Sequence, residues 1–380
     1  MKILRRFRTI LLHWRNSMIA SSRFQSSVAA VPFLRSIARK DGEKLYDIVA
    51  GFVYSQTLLA LVELDIICEL SKNNLTAKEI AAKCDIEPEK AKILCQSGVA
   101  IQLLVRIETD EAGNPSYGLS RLGAAVVGVP GLQEMIKHHR LFYEDLSDPV
   151  GLLKGQVNTN MSKYWPYVLG KIEASEIKHS AAVMYSRLME TSQQLVAEET
   201  LRIINFSGVE CLLDVGGGTG AFLLHVNKKY PHINHCLFDL PPVIEQAKKE
   251  FSFRKEKIKI NFFAGSFIKD SLPGDMDTIS LIRVLYDHND ELVGAILRKV
   301  FFSLIPGGKI IISEPMSGGS SPQRAGDAYF GFYTMAMSTG KPRDLETHAK
   351  LLSEAGFKKI KKHTGSRPFI TSVITGIKPK

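Results

Sequence analysis

Residues 212–221 read Leu-Leu-Asp-Val-Gly-Gly-Gly-Thr-Gly-Ala, so an apolar segment runs straight into a glycine-rich turn. Glycines allow such a turn to be tight and let the backbone approach a ligand, which the first turn of a following helix would face. From Cys211 onward, apolar segments alternate with amphipathic ones. The apolar segments are Leu212–Val215, His235–Phe238, Ile258–Phe263, Thr278–Leu281 and Lys309–Ser313, and the amphipathic ones are 220–229, 242–250 and 290–304. This alternation predicts a doubly wound α/β domain with a parallel sheet, and Phe357–His363 with Thr371–Ile377 suit antiparallel strands at its edge.

The glycine turn has two candidate ligands. Gly216, Gly218 and Ala221 fit the dinucleotide fingerprint, so the turn alone does not separate a dinucleotide from S-adenosylmethionine (SAM). Asp239 follows nineteen residues after Gly220, at the end of the next apolar segment. A carboxylate in that place can accept hydrogen bonds from both hydroxyls of a ribose, which both ligands contain.

Asp214 and the position of the domain favour SAM. Asp214 lies two residues before Gly216, where a carboxylate could order the turn or meet an ammonium group but would repel a pyrophosphate. The domain also comes last in the chain, without the further catalytic domain that many dehydrogenases carry. We therefore predict a SAM site, with an NAD-dependent oxidoreductase as the alternative.

The stretch before this domain, residues 44–120, has the pattern of a winged helix. Apolar residues recur at helix spacing over 44–70, Thr76 and Glu79 form a capping-box signature, and a further helix is predicted over Glu89–Leu104. A short hairpin after that helix would form the wing.

DNA binding by this unit is disfavoured, because the Glu89–Leu104 helix carries only Lys90 and Lys92 as positive charges. A dimerisation or lid role fits better, although a winged-helix regulator with a ligand-sensing domain stays an alternative. Residues 121–205 are predicted to be a helical linker that lines the substrate site, followed by the SAM-binding catalytic domain over 206–380. Breaks in the linker are expected near Pro130, Pro149 and Pro166.

The net charge of +10 is concentrated at the N-terminus, where residues 1–40 hold nine Lys and Arg and no Asp or Glu. Subtracting nine from ten leaves the other 340 residues at about +1, which disfavours a nucleic-acid-binding body. Residues 1–43 mix this charge with apolar side chains and Trp14, as in an amphipathic helix on an anionic membrane surface. A core-docking arm and an organellar transit peptide are the other interpretations.

A membrane span and a metal or disulfide site are not expected. The most apolar stretch, Ile48–Ile67, contains Ser55, Gln56, Glu63 and Asp65, which make it too polar for a lipid-facing helix. The five cysteines form no CxxC pair, which argues against zinc and against a disulfide framework. We expect a cytoplasmic protein, with contact to the membrane surface through residues 1–40.

Several short motifs occur in an order that resembles a known family. They are Leu213–Gly220, Phe238–Pro241, Gly265–Phe267, Leu272–Pro273, Val284–Glu291 and Pro306–Lys309. Together they resemble the class I small-molecule O-methyltransferases of the caffeate and acetylserotonin type. The resemblance implies a Rossmann-like SAM-binding domain, a winged-helix dimerisation domain over 44–120 and a homodimer.

A narrower resemblance rests on four further segments, Ala20–Gln25, Val49–Gln56, Tyr185–Met189 and Arg283–His288. These resemble the bacterial demethylspheroidene (hydroxyneurosporene) O-methyltransferases. The resemblance implies methylation of the tertiary hydroxyl of an acyclic carotenoid. Another pigment of the bacteriochlorophyll pathway, or a quinone-like ring, is the alternative substrate.

The resemblance also implies which residues hold the cofactor. They are Asp214, Gly216, Gly218 and Gly220 at the methionine end, Asp239 with Leu240 at the ribose, Ser266 with Phe267 at the adenine, and Arg283 nearby. The sequence departs from the family at Ser266, where relatives carry a carboxylate, and at Arg283, where many carry a Lys. Asp270 is a nearby carboxylate that could replace the missing one.

The acceptor side departs further from the family. Tyr286 occupies the position of the catalytic His, and His288 that of a Trp. Glu314 matches one of the two flanking carboxylates, whereas the other falls at Pro342. Tyr is a weak base at neutral pH, but an alkanol loses its proton only as the methyl group arrives, so a weak acceptor suffices. We hypothesise that Tyr286 orients the acceptor hydroxyl and that His288 takes the proton.

Aromatic and methionine side chains cluster on both sides of the glycine domain. They are Met184, Tyr185, Met189, Tyr329, Phe330, Phe332, Tyr333, Met335 and Met337. Such clusters usually form core, and a wall for a long polyene is the functional alternative.

Overall fold

A computed structural model describes residues 2–30, 32–109, 113–164, 193–254, 258–363 and 365–380. The chain divides into two compact units, Met1–Ala124 and Ala125–Lys380. Pro166 and the Met184, Tyr185 and Met189 group lie outside the described residues, so the interpretations placed on them stay predictions.

The first unit is helical with a small sheet. Its elements are α1 (Lys2–Ile19), α2 (Ser22–Ala30), α3 (Pro32–Glu63), α4 (Ile66–Leu70), β1 (Leu75–Thr76), α5 (Ala77–Cys84), α6 (Pro88–Ala100), β2 (Leu104–Thr109) and β3 (Pro115–Leu119). The strands pair antiparallel in the order β1-β3-β2, which is the expected wing. The capping box at α5 is confirmed, since Glu79 N donates to Thr76 Oγ1 at 3.3 Å and Thr76 N donates to Glu79 Oε2 at 2.7 Å.

The long helix α3 is buried only toward its end, where Leu61 and Val62 are fully inside. Further back it exposes a run of apolar side chains, namely Leu45, Tyr46, Ile48, Val49, Phe52 and Val53. By length and composition alone, residues 36–63 could cross a membrane, in contrast to the expectation from the sequence. Core helices of soluble proteins meet the same criterion, and an apolar face that a partner subunit covers would have the same composition.

The second unit places a sheet between helices. Its elements are α7 (Arg121–Gly128, which begins in the first unit), α8 (Leu132–Asp145), α9 (Pro149–Leu153), α10 (Asn160–Tyr164), α11 (193–203), β4 (Cys211–Val215), α12 (Ala221–Lys229), β5 (Asn234–Asp239), α13 (Pro241–Phe253), β6 (Ile260–Ala264), β7 (Met276–Ile282), a 3₁₀ turn (Leu285–Asp287), α14 (Asp290–Ser303), β8 (Leu304–Glu314), a π-helical turn (Arg324–Tyr329), α15 (Phe330–Ala336), α16 (Leu345–Glu354), β9 (Lys358–His363) and β10 (Ser372–Ile377).

Within the described residues the strands form one sheet of order β6-β5-β4-β7-β8-β10-β9. Strands β4 to β8 run parallel, and β10 runs antiparallel to β8 and β9, which confirms the predicted architecture. Both faces are covered by apolar side chains, because parallel strands are buried on both sides. The strand order reverses at β4, and ligands of doubly wound sheets bind beyond the carboxyl ends of strands at such a point.

Candidate active site

The glycine turn follows β4 at this switch point. Gly216, Gly218 and Gly220 have φ angles of 69°, 60° and 82°, a region that a side chain would strain. A Cβ atom on Gly216 would lie 2.9 Å from Val284 Cγ2, whereas one on Gly218 would have no atom of the described residues within 4 Å. The turn is therefore packed on one side and open at Gly218, with α12 beginning directly after Gly220.

Asp214 lies fully buried beneath this turn. Ser280 Oγ donates to its Oδ1 at 2.6 Å, and no described residue gives its Oδ2 a hydrogen bond. A side chain at Gly217 would collide with this carboxylate, which shows how closely the turn covers it. Burial raises the pKa of Asp214 to about 7, while the Ser280 hydrogen bond opposes that rise. A buried carboxylate oxygen without a donor suits a cationic ligand group, such as the ammonium group of SAM.

Asp239 joins the turn to the end of β5. Its Oδ2 accepts from Gly218 N at 2.8 Å, and its Oδ1 accepts from Leu240 N at 2.7 Å. Burial raises the pKa of Asp239 to about 6, and the hydrogen bonds from the two amides oppose that rise. Each carboxylate oxygen can accept a second hydrogen bond, so the side chain is able to hold the two hydroxyls of a ribose.

The segment after β6 forms a turn that uses its own polar side chains. Ser266 N donates to Asp270 Oδ2 at 2.7 Å, and Ser266 Oγ lies 3.3 Å from the donor Ile268 N. Asp270 therefore uses its Oδ2 to hold this turn. Phe267 is half-buried, and its ring meets that of His288 edge-on, with 5.5 Å between centroids.

Arg283 follows β7 in a strained conformation. Its φ of 59° is uncommon for a residue with a side chain, and its amide donates to Ser313 O at 2.8 Å in the neighbouring strand. Backbone strain of this kind persists only where the surroundings impose it, often at functional sites. Burial raises the pKa of Tyr286 and of Asp287, and the charge of Arg283 opposes that rise for both, as expected for a guanidinium on the acceptor side.

The acceptor-side residues are Tyr286, in the turn Leu285–Asp287, and His288, directly after it. Both side chains are buried. Burial raises the pKa of the Tyr286 hydroxyl well above its usual range, so Tyr286 stays protonated. Burial lowers the pKa of His288 to about 4, although the charge of Glu314 opposes that change. His288 is accordingly a neutral imidazole near pH 7.

Glu314 ends β8 and supports the backbone of this turn. Its Oε2 accepts from Leu285 N at 2.9 Å and from Tyr286 N at 3.2 Å. Its Oε1 lies 3.1 Å from Nε2 of His348, a fully buried histidine of α16. The carboxylate that the sequence assigned beside the catalytic position therefore has a clear structural contact, and its catalytic role stays a prediction.

Arg343 directly follows Pro342, the position of the missing second carboxylate, and its side chain contacts the turn 285–288. The side chain is 2% exposed, and it donates to Leu285 O at 2.9 Å, His288 O at 2.6 Å and Asp290 Oδ1 at 2.7 Å. The preceding Gly340 has a φ of 62° and lies directly against the backbone of the turn. The guanidinium thus fixes both ends of the segment 285–288.

Sequence reasoning did not identify Arg343, His348 or Ser280. Arg343 lies next to Pro342, and a lone arginine after a proline gives no signal for burial. The aromatic and methionine cluster is core for the described residues Tyr329, Phe330, Phe332, Tyr333 and Met337, whereas Met335 is 37% exposed.

Sequence reasoning also missed two adjacent histidines of α8. His138 and His139 each contact a tyrosine of this core cluster. Two consecutive histidines on an amphipathic helix were the available signal. No group of three His, Cys, Asp or Glu able to hold a metal ion occurs among the described residues.

Comparison with known proteins agrees with this geometry. Residues 143–358 match the O-methyltransferase domain family, and residues 46–128 match the O-methyltransferase dimerisation domain. The chain is 44% identical to the demethylspheroidene O-methyltransferase of Cereibacter sphaeroides, over 95% of this chain and 94% of that protein. The corresponding Rhodobacter capsulatus protein is 42% identical over 93% of this chain and 86% of its own length.

A solved structure has the same fold. Human N-acetylserotonin methyltransferase in complex with SAM matches with a TM-score of 0.75 and 23% identity, over 90% of this chain and 98% of that one. The dimerisation-domain match, which includes most of the exposed apolar face of α3, supports a homodimer. The chain belongs to the O-methyltransferase family, whose cofactor is S-adenosylmethionine.

Proposed function

We propose that this chain transfers a methyl group from SAM to the tertiary hydroxyl of an acyclic hydroxycarotenoid of the demethylspheroidene or hydroxyneurosporene type. The observation that carries the proposal is the 44% identity, over nearly the full length of both chains, to a demethylspheroidene O-methyltransferase. The match extends over 95% of this chain and 94% of that protein, so it is not confined to the SAM-binding fold.

The cofactor half of the proposal rests on the buried carboxylates beneath the glycine turn. Asp214 offers one oxygen to an ammonium group, Asp239 offers its remaining acceptor capacity to a ribose, and Gly218 leaves the turn open between them. Ser266, Phe267, Leu240 and Arg283 complete the set as proposed contacts. When bound, SAM supplies an electrophilic methyl group on a sulfonium. The residues around it align the reactants and exclude water.

The acceptor half suits an alcohol better than a phenol. Tyr286 stands where phenol methyltransferases of this type carry a histidine, and a buried, protonated tyrosine can orient a hydroxyl but cannot ionise it in advance. We propose that Tyr286 orients the acceptor and that Glu314 positions Tyr286 through the backbone of the turn. His288 is neutral and can accept a proton, and its role as proton acceptor stays a prediction.

Product analysis tests the proposal directly. Purified protein in liposomes would receive methyl-labelled SAM with 1-hydroxyneurosporene, or with a quinone-like phenol as the matched acceptor. We expect label in a methoxy carotenoid and little in the phenol ether, and no label with Asp239→Ala. Label in the phenol alone would support O-methyltransferase activity and contradict the carotenoid as the substrate. Full activity of a protein carrying both Tyr286→Phe and His288→Ala would remove these residues from the mechanism.

We further propose that α1 rests on the membrane surface that holds such a substrate, on the cytoplasmic side. The helix exposes Phe7 at 64% and Trp14 at 61%, and it carries Arg8 and Arg15 without any acidic residue. Exposed aromatic side chains beside arginines are typical of helices that bind anionic lipid. A long polyene partitions into the bilayer, so an enzyme at its surface meets the substrate there.

Vesicle sedimentation tests the membrane contact. We expect the protein to sediment with vesicles of phosphatidylcholine and phosphatidylglycerol, and less with phosphatidylcholine alone. Exchanging Arg8 and Arg15 for Glu should abolish the difference, whereas the same charge change at the exposed Lys90 and Lys92 should not. Equal sedimentation of both variants would show that α1 makes no specific contribution.

A further inference from the structure

Two histidine–tyrosine contacts join α8 to the end of the π-helical turn and to α15. His139 Nε2 lies 2.7 Å from Tyr329 Oη, and His138 Nε2 lies 3.1 Å from Tyr333 Oη. The two tyrosine rings stack with 5.7 Å between centroids. The proposed function gives no task to these titratable groups, although they lie within an otherwise apolar cluster.

The pair formed by His139 and Tyr329 is linked to Tyr286 through the ring of Phe330. Phe330 meets Tyr286 edge-on at 5.9 Å between centroids and meets Tyr329 at 4.9 Å. Burial raises the pKa of Tyr329 and of Tyr333, and the charge of Arg283 opposes that rise for both. By contrast, His288 turns its ring toward Phe267, on the side where the adenine is expected.

We infer that His139, through Tyr329, receives the proton that the acceptor hydroxyl loses during methyl transfer, in place of the His288 predicted from the sequence. The inference rests on the proposed function and names the residues that complete its acceptor site. The acceptor oxygen forms its bond to the methyl carbon as the carbon–sulfur bond breaks, with that electron pair left on sulfur. The hydroxyl proton passes to Tyr329 Oη, whose own proton passes to His139 Nε2 and later to solvent. Atoms and charge balance without any further reactant.

The protonation states of both residues suit this relay. Burial lowers the pKa of His139 to about 4, so Nε2 is free to accept a hydrogen bond from Tyr329 in the tautomer that carries its proton on Nδ1. Burial raises the pKa of Tyr329, which therefore keeps its proton until it hands it on. A methylated hydroxyl that still holds its proton is a far stronger acid than an imidazolium, so the transfer is downhill.

The neighbouring pair provides a matched control inside the same cluster. Tyr333 is 6% exposed and its contact with His138 is longer, whereas Tyr329 is half-buried and directly precedes Phe330. Both histidines belong to α8, and their tyrosine partners lie one helical turn apart, at the end of the π-helical turn and in α15. Loss of packing should therefore affect His138→Ala and His139→Ala alike, but only His139→Ala should remove a proton acceptor.

Chemical rescue is the decisive experiment. With 1-hydroxyneurosporene, His139→Ala should lower kcat by about 100-fold with little change in KM, as expected for loss of general-base catalysis. Added imidazoles should restore the rate in proportion to their basicity, and they should not affect His138→Ala. Tyr329→Phe, which keeps the ring, should lower kcat similarly. Equal activity of the two alanine variants, or rescue of His288→Ala instead, would overturn the inference.

A readout without turnover separates the relay from the proposed function. In histidine-selective ¹⁵N NMR spectra of the substrate-free protein, His139 should show an unprotonated, hydrogen-bonded Nε2 that changes in Tyr329→Phe. A protonated Nε2 would contradict the relay even if the carotenoid is methylated. Absence of methoxy carotenoid with the wild-type protein would instead overturn the proposed function, and the inference with it.

Discussion

The glycine turn after β4 and the turn 285–288 after β7 lie at the ends of neighbouring strands but are held in different ways. The glycine turn is fixed by its own backbone and by Asp239, which comes 21 residues after Gly218. The second turn is held by Glu314 and by Arg343, which is 58 residues from its partner Leu285. The backbone of the glycine turn is thus held mainly by nearby residues, with Ser280 as a distant partner of Asp214, whereas the turn 285–288 depends on contacts between distant segments.

Replacing Arg343 should have the largest effect in this comparison. In Arg343→Met, the buried carbonyls of Leu285 and His288 lose their donors, so we expect the free energy of unfolding to fall by about 4 kcal/mol. Urea denaturation measures the change. Lys341→Met is the matched control, because Lys341 pairs with the same Asp290 on the exposed surface and should cost about 0.5 kcal/mol. Equal losses in both variants would show that burial of Arg343 is not what stabilises the turn.

The second-largest effect tests the cofactor half. Asp239→Ala should weaken SAM binding by about 100-fold, because two hydrogen bonds to a carboxylate contribute about 1.5 kcal/mol each. Isothermal titration calorimetry measures the affinity. Asp270→Asn is the control, since that carboxylate only holds the turn at Ser266, and its change should be about 2-fold. A large loss in Asp270→Asn would mean that Asp270 replaces the family's adenine-binding carboxylate.

The same contrast explains how much the sequence could predict. The strand pattern, the glycine turn with Asp239 and the capping box at Thr76 depend on neighbours within about one supersecondary unit, and all were predicted. Arg343 could not be predicted, because no local pattern marks an arginine whose partners are backbone carbonyls of a distant turn. Strand bounds also moved, with β8 beginning at Leu304 because its pairing with β7 extends past the Pro306–Gly308 bend.

Variants of Glu314 test whether the turn 285–288 needs a charged carboxylate or only an oxygen that accepts hydrogen bonds from two amides. Glu314→Ala should lower the free energy of unfolding by about 2 kcal/mol, since the amides of Leu285 and Tyr286 lose their partner. Glu314→Gln keeps an amide oxygen for them, so we expect near-wild-type stability and a kcat within about 10-fold of the wild type.

Denaturation curves and steady-state rates for the two variants measure these effects. A Gln variant that is stable but as inactive as the Ala variant would show that the charge of Glu314 acts in catalysis. That outcome would also give the neighbouring His348 a role beyond packing, because its Nε2 lies 3.1 Å from the second carboxylate oxygen.

The smallest effect concerns pH and the cofactor half. The folded-state pKa of Asp214, about 7, lies above its unfolded value, so the folded protein binds this proton more tightly. Its contribution to stability is complete below about pH 4 and is lost as the pH rises through about 7.

Substrate-free protein should therefore be more stable at about pH 5.5 than at about pH 7.5, and Asp214→Asn should reduce that difference by about 1 kcal/mol. Asp239→Asn should reduce it less, because two amides already offset part of its burial. If Asp214→Asn leaves the pH dependence unchanged, burial does not raise the pKa of Asp214, which would weaken the case for this carboxylate as the partner of a cationic ligand group.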